Sequence, residues 1–544
     1  MKLQPGSIRR QWALAVLLSF TIAMAFQGSR GIFEPDEGFY TNVALGMAES
    51  GDWVMPRLNG DPFLDKPPLL YWGIGWGVRL FGTNEWAARA AQALWFVATS
   101  ILVGLFARRL WGPDRGPLGV AVYSATLGPV VAASVLTPDT ILGFWATFLV
   151  YAYWRYFTSS DRRARWTYAL LLGLGVGGGV LAKGPAILLF LPPIAVHLVV
   201  TKGVRGALKP ELFACAALSA VVGGSWYLAV GSQVPGAWAY WFDNQIAGRL
   251  WSAKYHRSPQ WWGGLVVYSQ FLLAGGLPWW PLWIWRWVRR GDAESAGQSG
   301  AGRPVILLLR LWFLLPLAVL LLASSRLLLY ALPLMAPLAL ATTEILFHRP
   351  FAAWRLRRVA VTAVAWVVVL ITLKGLTSLV PSHRNSREVA EALGRVGTES
   401  STTIVAVDTK QSGLRFYGFP DIVNTRYSNP EYPYFVPIRS LRSLAEGGDL
   451  PTSRFVVVAN TGRRGIVSRV FEEIGFGCEN RPAIYDLEFL ECRPRSTNRN
   501  LGDSEDPTGR HPVLAAFKTA RGCVDTGDPT CRVWAERLRR LLER

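Results

Sequence analysis

Pro67–Gly82 reads PPLLYWGIGWGVRLFG, and the topology of the whole chain turns on whether this stretch crosses a membrane. It is apolar, but it is short and glycine-rich, opens on two prolines and carries Arg79. A span needs roughly 17–25 apolar residues. Eleven other stretches meet that need: about 12–28, 87–108, 117–136, 139–157, 166–182, 184–201, 210–230, 264–287, 304–323, 327–347 and 358–379. Counting 67–82 as a further span would reverse the side of everything after it, so the basic residues can decide. With 67–82 in the outer interface and the N-terminus inside, 1–11, 108–116, 155–165, 202–209, 286–303 and 348–358 face inward with 21 Lys and Arg. The outward connections 29–86, 137–138, Lys183, 231–263 and 324–326 hold 9, spread over many more residues. Cytoplasmic loops carry the excess of Lys and Arg. The expected fold is therefore a polytopic α-helical membrane protein of about eleven spans, with 67–82 an interfacial helix.

Composition agrees. A chain of 544 residues with 51% hydrophobic content and 25 Trp is too apolar for an ordinary soluble enzyme. The net charge of +20 is scattered in short clusters between apolar runs, which argues against a nucleic-acid partner. Trp279, Trp280, Trp283, Trp285 and Trp287 crowd one span end, and Trp251, Trp261 and Trp262 an outer interface, as aromatic belts do. The first apolar segment follows Arg9 and Arg10 without a small-x-small cleavage site, so an uncleaved first helix is expected. Gly173, Gly175, Gly177, Gly178 and Gly179 lack the strand-to-helix context of a phosphate loop and read as a close helix-packing face.

After residue 380 the pattern changes. Ser386–Gly394 reads as an amphipathic helix, Thr403–Val407 and Phe455–Ala459 as strands, Ile466–Ile474 as a helix and Ile484–Cys492 as a final strand or hairpin. The organisation expected is 1–380 membrane domain with a first exterior loop at 29–86, 381–495 exterior α/β domain, and 496–544 polar tail with a basic amphipathic helix at Val533–Leu542. An exterior setting permits disulfides, with Cys523–Cys531 and Cys478–Cys492 the expected pairs among three connectivities.

The polar residues at span ends then fall on one side. Glu34, Asp36, Glu37, Asp65, Lys66, Asp139, Lys183, His256, Arg326 and Tyr330 come from six separate stretches and share the exterior face. A transporter would place such groups near mid-membrane. A one-sided set suits an enzyme acting on a lipid-anchored substrate at the water boundary. A lipid-linked sugar flippase is the alternative, and a ligand sensor leaves the charged span ends unexplained. Lys66, Lys183 and Arg326 supply cations for a phosphate. Asp36 or Asp139 supplies a carboxylate base, and Asp65, His256 or Glu37 a ligand for a divalent metal. Each has a plainer reading: Lys183 snorkels, Asp139 caps its helix, and His256 is a loop histidine.

The first loop, D36EGFY40 followed by A48ESGDWVMPRLNG60 and D65KPPLLYW72, resembles that of the aminoarabinose transferases, lipid A-modifying relatives of the protein O-mannosyltransferases. L181AKGP185, Y255HRSP259 and R326LLLYALP333 are similar to later motifs of that family, and the likeness covers roughly residues 10–345. The resemblance implies a GT-C glycosyltransferase, here inverting, in a bacterial inner membrane. Its donor would be a sugar on a polyprenyl phosphate, and its acceptor a glycolipid, glycan or protein outside, with no nucleotide cofactor. It also implies roles. Asp36 matches the essential acid, Asp139 a second acid, Tyr40 and Tyr330 tyrosines beside the site, Lys66 and Lys183 the lysines on the donor phosphate, and Asp65 with His256 a metal-binding pair. Three positions depart from the family: Phe39 stands where Arg is frequent, Asp65 where Glu is, and Arg326 where Lys is. Glu34 is left as a solvated neighbour of the loop acids.

Overall fold

The computed structural model describes residues 5–248, 258, 260–288, 302–347, 356–427, 434–447, 450–451 and 453–495. It forms two units, Met1–Pro381 with Pro433–Val436, and Ser382–Tyr432 with Pro437–Arg544.

The first unit is helical, and the protein is a membrane protein with multiple apolar helices. Among the described residues, six helical segments are long and apolar enough to cross a membrane by length and composition. Glu85–Trp111, Pro138–Thr158, Arg162–Lys183 and Pro210–Gly231 are unbroken helices where the apolar runs lie. The deciding stretch forms a helix at Leu69–Phe81, only 13 residues long. At 1.5 Å per residue it reaches about 20 Å, well short of a hydrocarbon core of roughly 30 Å.

Two stretches read as continuous spans are broken. One runs as Arg115–Ser124 and Leu127–Ala132, the other as Gly263–Gly275 and Trp280–Val288. The breaks repair each other. Leu127 N–H donates to the Leu277 carbonyl at 3.0 Å, and Trp279 Nε1 to Thr126 Oγ1 at 2.9 Å. Trp366 Nε1 reaches the freed Ala125 carbonyl at 2.7 Å. Non-helical backbone is tolerated at membrane depth only when protein satisfies it in this way. The glycine run packs helices tightly, as its spacing predicts. A Cβ on Gly173 would lie 2.6 Å from the Cys215 carbonyl oxygen, and one on Gly177 would lie 2.7 Å from Val222.

The second unit holds a five-stranded sheet in the order Ile422–Thr425, Thr403–Val407, Phe455–Asn460, Leu487–Pro494, Phe476–Ile484. The first three strands are parallel and the last two form an antiparallel hairpin. Thr403–Val407 and Phe455–Asn460 are almost wholly buried, as expected for strands covered on both faces. Helices Ser386–Arg395 and Arg464–Glu473 supply the covers, through Val389 and Leu393 on one core and Val467 and Phe471 on the other. Strand Ile422–Thr425 escaped the sequence reading because it has four residues and follows Phe419-Pro420 without alternation. Cys478 and Cys492 are register partners on the hairpin and are joined by a disulfide. Cys523, Cys531 and Val533–Leu542 lie outside the described residues. Phe471 is fully buried between Phe455 and Phe476, with ring centroids at 5.4 and 6.2 Å. Phe471→Ala is expected to cost about 3–5 kcal/mol, measured as faster amide exchange in Phe455–Asn460 of the intact protein.

Candidate active site

The site begins at the loop after the first helix. Helix Asp36–Ser50 opens with two acids, where anionic side chains complement the helix dipole. Their fates diverge. Glu37 is 2% exposed. It receives Arg89 at 2.8 and 3.4 Å and Arg30 at 2.9 and 3.0 Å. Backbone N–H groups of Phe33 and Leu136 add 2.9 and 3.0 Å. Arg89 also donates to the carbonyls of Gln27, Arg30 and Gly31. Burial raises the Glu37 pKa, but the charges and hydrogen bonds of Arg89 and Arg30 outweigh it and bring it to about 2. This carboxylate is an anchor, with both oxygens engaged.

Asp36, one residue earlier, is exposed, and among the described residues it has no hydrogen-bond or ion-pair partner. One helical turn on, Tyr40 is 6% exposed. Its phenol is held well above the ordinary value, first by burial and then by the charges of Asp36, Asp65 and Asp139, with Tyr71 among them. One hydroxyl thus lies close enough to feel three carboxylates from three separate stretches.

Asp139 is in the first turn of Pro138–Thr158, with Thr137 as the capping residue and its hydroxyl 2.8 Å from Asp139 Oδ2. The other Asp139 oxygen pairs with Lys183, the last residue of Arg162–Lys183. Lys183 Nζ also lies 4.1 Å from the centre of the Tyr330 ring. Lys66 pairs with Asp65 in the same fashion, and both are largely buried. Asp65 Oδ1 accepts from Gln245 at 2.8 Å, on the π-helical turn Trp241–Ala247. Tryptophan N–H groups pin the loop between these charges. Trp72 donates to the Trp53 carbonyl, Trp226 to Val54 and Trp241 to Leu64, at 2.7, 2.8 and 3.1 Å.

A cavity of about 670 Å³ opens beside these groups. Its polar lining includes Asp65, Lys66, Lys183, Gln245 and Tyr330, and the rest is mostly aliphatic, proline and aromatic. Two of its walls, Gly184–Phe190 and Leu328–Leu334, are 3₁₀ turns at the starts of longer helices. Prolines 185 and 333 lie within them, and proline cannot donate to a regular helical ladder.

Other sequence-read residues are placed differently. Arg326 is buried and turned to the backbone carbonyls of Ser258, Gln260 (2.7 Å) and Leu321 (3.3 Å). Glu34, read as solvated, is 6% exposed, its carboxyl group folded over Gly38 so closely that a Cβ there would collide with it. Phe39, where the resemblance expects Arg, is buried against Phe63 and Tyr434 at 5.8 and 5.6 Å. His256 lies outside the described residues.

Residues 65–227 match the family model described as dolichyl-phosphate-mannose-protein mannosyltransferase. An undecaprenyl phosphate-alpha-4-amino-4-deoxy-L-arabinose arabinosyl transferase of Pseudomonas aeruginosa is 30% identical over 348 residues, 63% of this chain and 61% of its own. One of Pseudomonas fluorescens is 30% identical over 377 residues, 68% of this chain and 66% of its own. The chain spans about six tenths of the length of the first of these relatives. The crystal structure of ArnT from Cupriavidus metallidurans bound to undecaprenyl phosphate matches with a TM-score of 0.69 at 18% identity, over 90% of this chain and 98% of that one. The fold is that of ArnT. The resemblance to the aminoarabinose transferases, first read in the loop, is borne out, and with it the GT-C fold class.

Sequence reading missed Arg89 and Gln245. Arg89 lies in an apolar helix, and a lone arginine so placed is a signal in itself, because an intramembrane charge has a partner. Gln245 carried no signal. Arg89→Ala leaves a buried carboxylate short of its main partner and is expected to cost about 3–5 kcal/mol, seen as a lower melting temperature in detergent. Since Glu37 titrates near 2 when folded against 4.5 ordinarily, its contribution is complete above pH 4.5 and is lost as pH falls through about 2. Glu37→Gln is expected to remove that part of the acid sensitivity.

Proposed function

We propose that the protein is a membrane glycosyltransferase that moves a sugar from undecaprenyl phosphate to an acceptor at the exterior face of a bacterial inner membrane. The observation that carries this reading is the apolar cavity headed by Lys66 and Lys183, in a fold whose relative has been crystallised with undecaprenyl phosphate. In it the prenyl chain lies among the aliphatic walls and the phosphate meets the two ammonium groups. The acceptor hydroxyl attacks the anomeric carbon in a single displacement that inverts its configuration. Asp36 takes the hydroxyl proton, the bond from carbon to phosphate oxygen breaks, and undecaprenyl phosphate leaves with its charge balanced by Lys66 and Lys183. Asp139 holds Lys183 in place, and Tyr40 and Tyr330 border the sugar. Asp65 and His256 are the pair proposed for a divalent metal. The Asp65 carboxylate is already shared by Lys66 and Gln245, so no step here runs through an ion. The acceptor is a lipid A-like glycolipid, another glycan or a protein.

The short helix Leu69–Phe81 and the count of basic residues support eleven spans, a cytoplasmic N-terminus, and the active site with the second unit outside.

Sugar transfer by purified protein in nanodiscs tests the reading. Asp36→Asn is expected to lower kcat by about 10²–10⁴-fold, and near-normal turnover in folded protein would overturn the assignment. Lys183→Ala is expected to weaken use of the donor by about 10–100-fold, without rescue by Lys183→Arg because the pocket holds a compact ammonium against Asp139 and Tyr330. Donor consumption that requires added acceptor, with no gradient present, separates transfer from flipping.

A further inference from the structure

Gln245 has a hydrogen-bonding capacity that the fold leaves unused. It sits on the π-helical turn Trp241–Ala247, a rare geometry found frequently at functional sites. The turn is pinned at its first residue. Trp241 is buried, packs on Trp226 and Tyr227 at 5.7 and 4.7 Å, and donates its indole N–H to the carbonyl of Leu64, the residue before Asp65. Gln245 is thereby carried to the head of the cavity, which it lines beside Asp65 and Lys66.

The direction of its amide is decided by its neighbours. Nε2 lies 2.8 Å from Asp65 Oδ1 and 3.1 Å from the Tyr240 hydroxyl. An ionised carboxylate only accepts, so the amide faces Asp65 with its nitrogen. Both N–H groups are then spent, one on each partner. The oxygen at the other end of the amide has no hydrogen-bond partner among the described residues. It is an acceptor with two free lone pairs, on a side chain already fixed in place.

The chemistry of the cavity narrows what that oxygen can hold. A phosphate needs donors, which Lys66 and Lys183 supply, whereas an amide oxygen repels phosphate oxygens and needs a donor itself. Lys66 and Gln245 share the Asp65 carboxylate. With the donor phosphate on Lys66, the anomeric carbon bonded to it therefore comes within a sugar ring of the amide. That carbon has two neighbours in the ring. One is the ring oxygen, which only accepts. The other is carbon 2, whose hydroxyl donates, and it alone complements Gln245.

We propose, resting on the transfer reading above, that Gln245 is a specificity-determining residue whose Oε1 accepts a hydrogen bond from the 2-hydroxyl of the donor sugar. The substrate class is then polyprenyl-phosphate sugars with a free 2-hydroxyl, and 2-deoxy sugars are discriminated against. The contact strengthens as the bond from the anomeric carbon to the phosphate oxygen breaks, because the positive charge developing beside it makes the 2-hydroxyl a better donor.

A cycle that changes lipid and protein in turn tests this. Radiolabelled undecaprenyl phosphate is bound to the full-length protein in detergent and displaced by competitors. These are undecaprenyl phosphate carrying mannose or 4-amino-4-deoxy-L-arabinose, and the 2-deoxy form of each. In the wild type, loss of the 2-hydroxyl from the tighter-binding sugar is expected to weaken competition about tenfold. In Gln245→Ala, and in Gln245→Met with its similar shape, the two forms are expected to compete within about twofold of each other. A residue that merely holds Asp65 would shift every lipid by one factor and preserve the tenfold difference. Wild-type protein indifferent to the 2-hydroxyl, or variants that keep the difference, overturn the proposal and leave the transfer reading standing. Failure of undecaprenyl phosphate itself to bind the wild type overturns both.

Discussion

The Glu37 carboxylate is the constraint on which the first unit's site depends. A buried carboxylate is costly unless it is paired and its lone pairs are filled. Here two guanidinium groups and two backbone N–H groups fill them, drawn from the loop after the first helix, helix Glu85–Trp111 and the turn before Pro138. Three pieces of chain are thereby fixed around one side chain. Helix Asp36–Ser50 is held at its first turn, so Asp36 and Tyr40 are placed without making structural contacts of their own at Asp36. The exposed acid and the acid that anchors are neighbours in sequence, and the backbone between them transmits the position.

The cations are handled by a related rule. Lys66 and Lys183 are each largely buried, and each is matched by one aspartate. A buried ammonium is costly unless it is paired, and each pairing offsets that cost while the side chain lines the cavity.

Much of this was legible in the sequence, because spans, basic clusters and the acidic loop are local signals. The convergence of Asp36, Asp65, Lys66, Asp139 and Lys183 follows from topology once the side of each span end is assigned. What was not legible depends on tertiary partners. Glu34 and Glu37 look alike in sequence, and only Arg30 and Arg89 make one of them the anchor. Gln245 acquires its role from a π-helical turn that no pattern announces. The spans broken at Ala125 and Leu277 read as continuous because their apolar content is continuous. Arg326 read as a phosphate ligand from its residue type, whereas its guanidinium is surrounded by carbonyl oxygens.

Those two breaks have a consequence for how the chain is made. Ala125 and Leu127 are made long before Leu277 and Trp366, yet these later residues carry the partners for the backbone groups freed at the first break. The early helices therefore cannot settle by themselves. Their unsatisfied carbonyl and amide act as a reserved place, and the bundle closes only when the second broken helix and the helix Leu356–Leu376 arrive to occupy it.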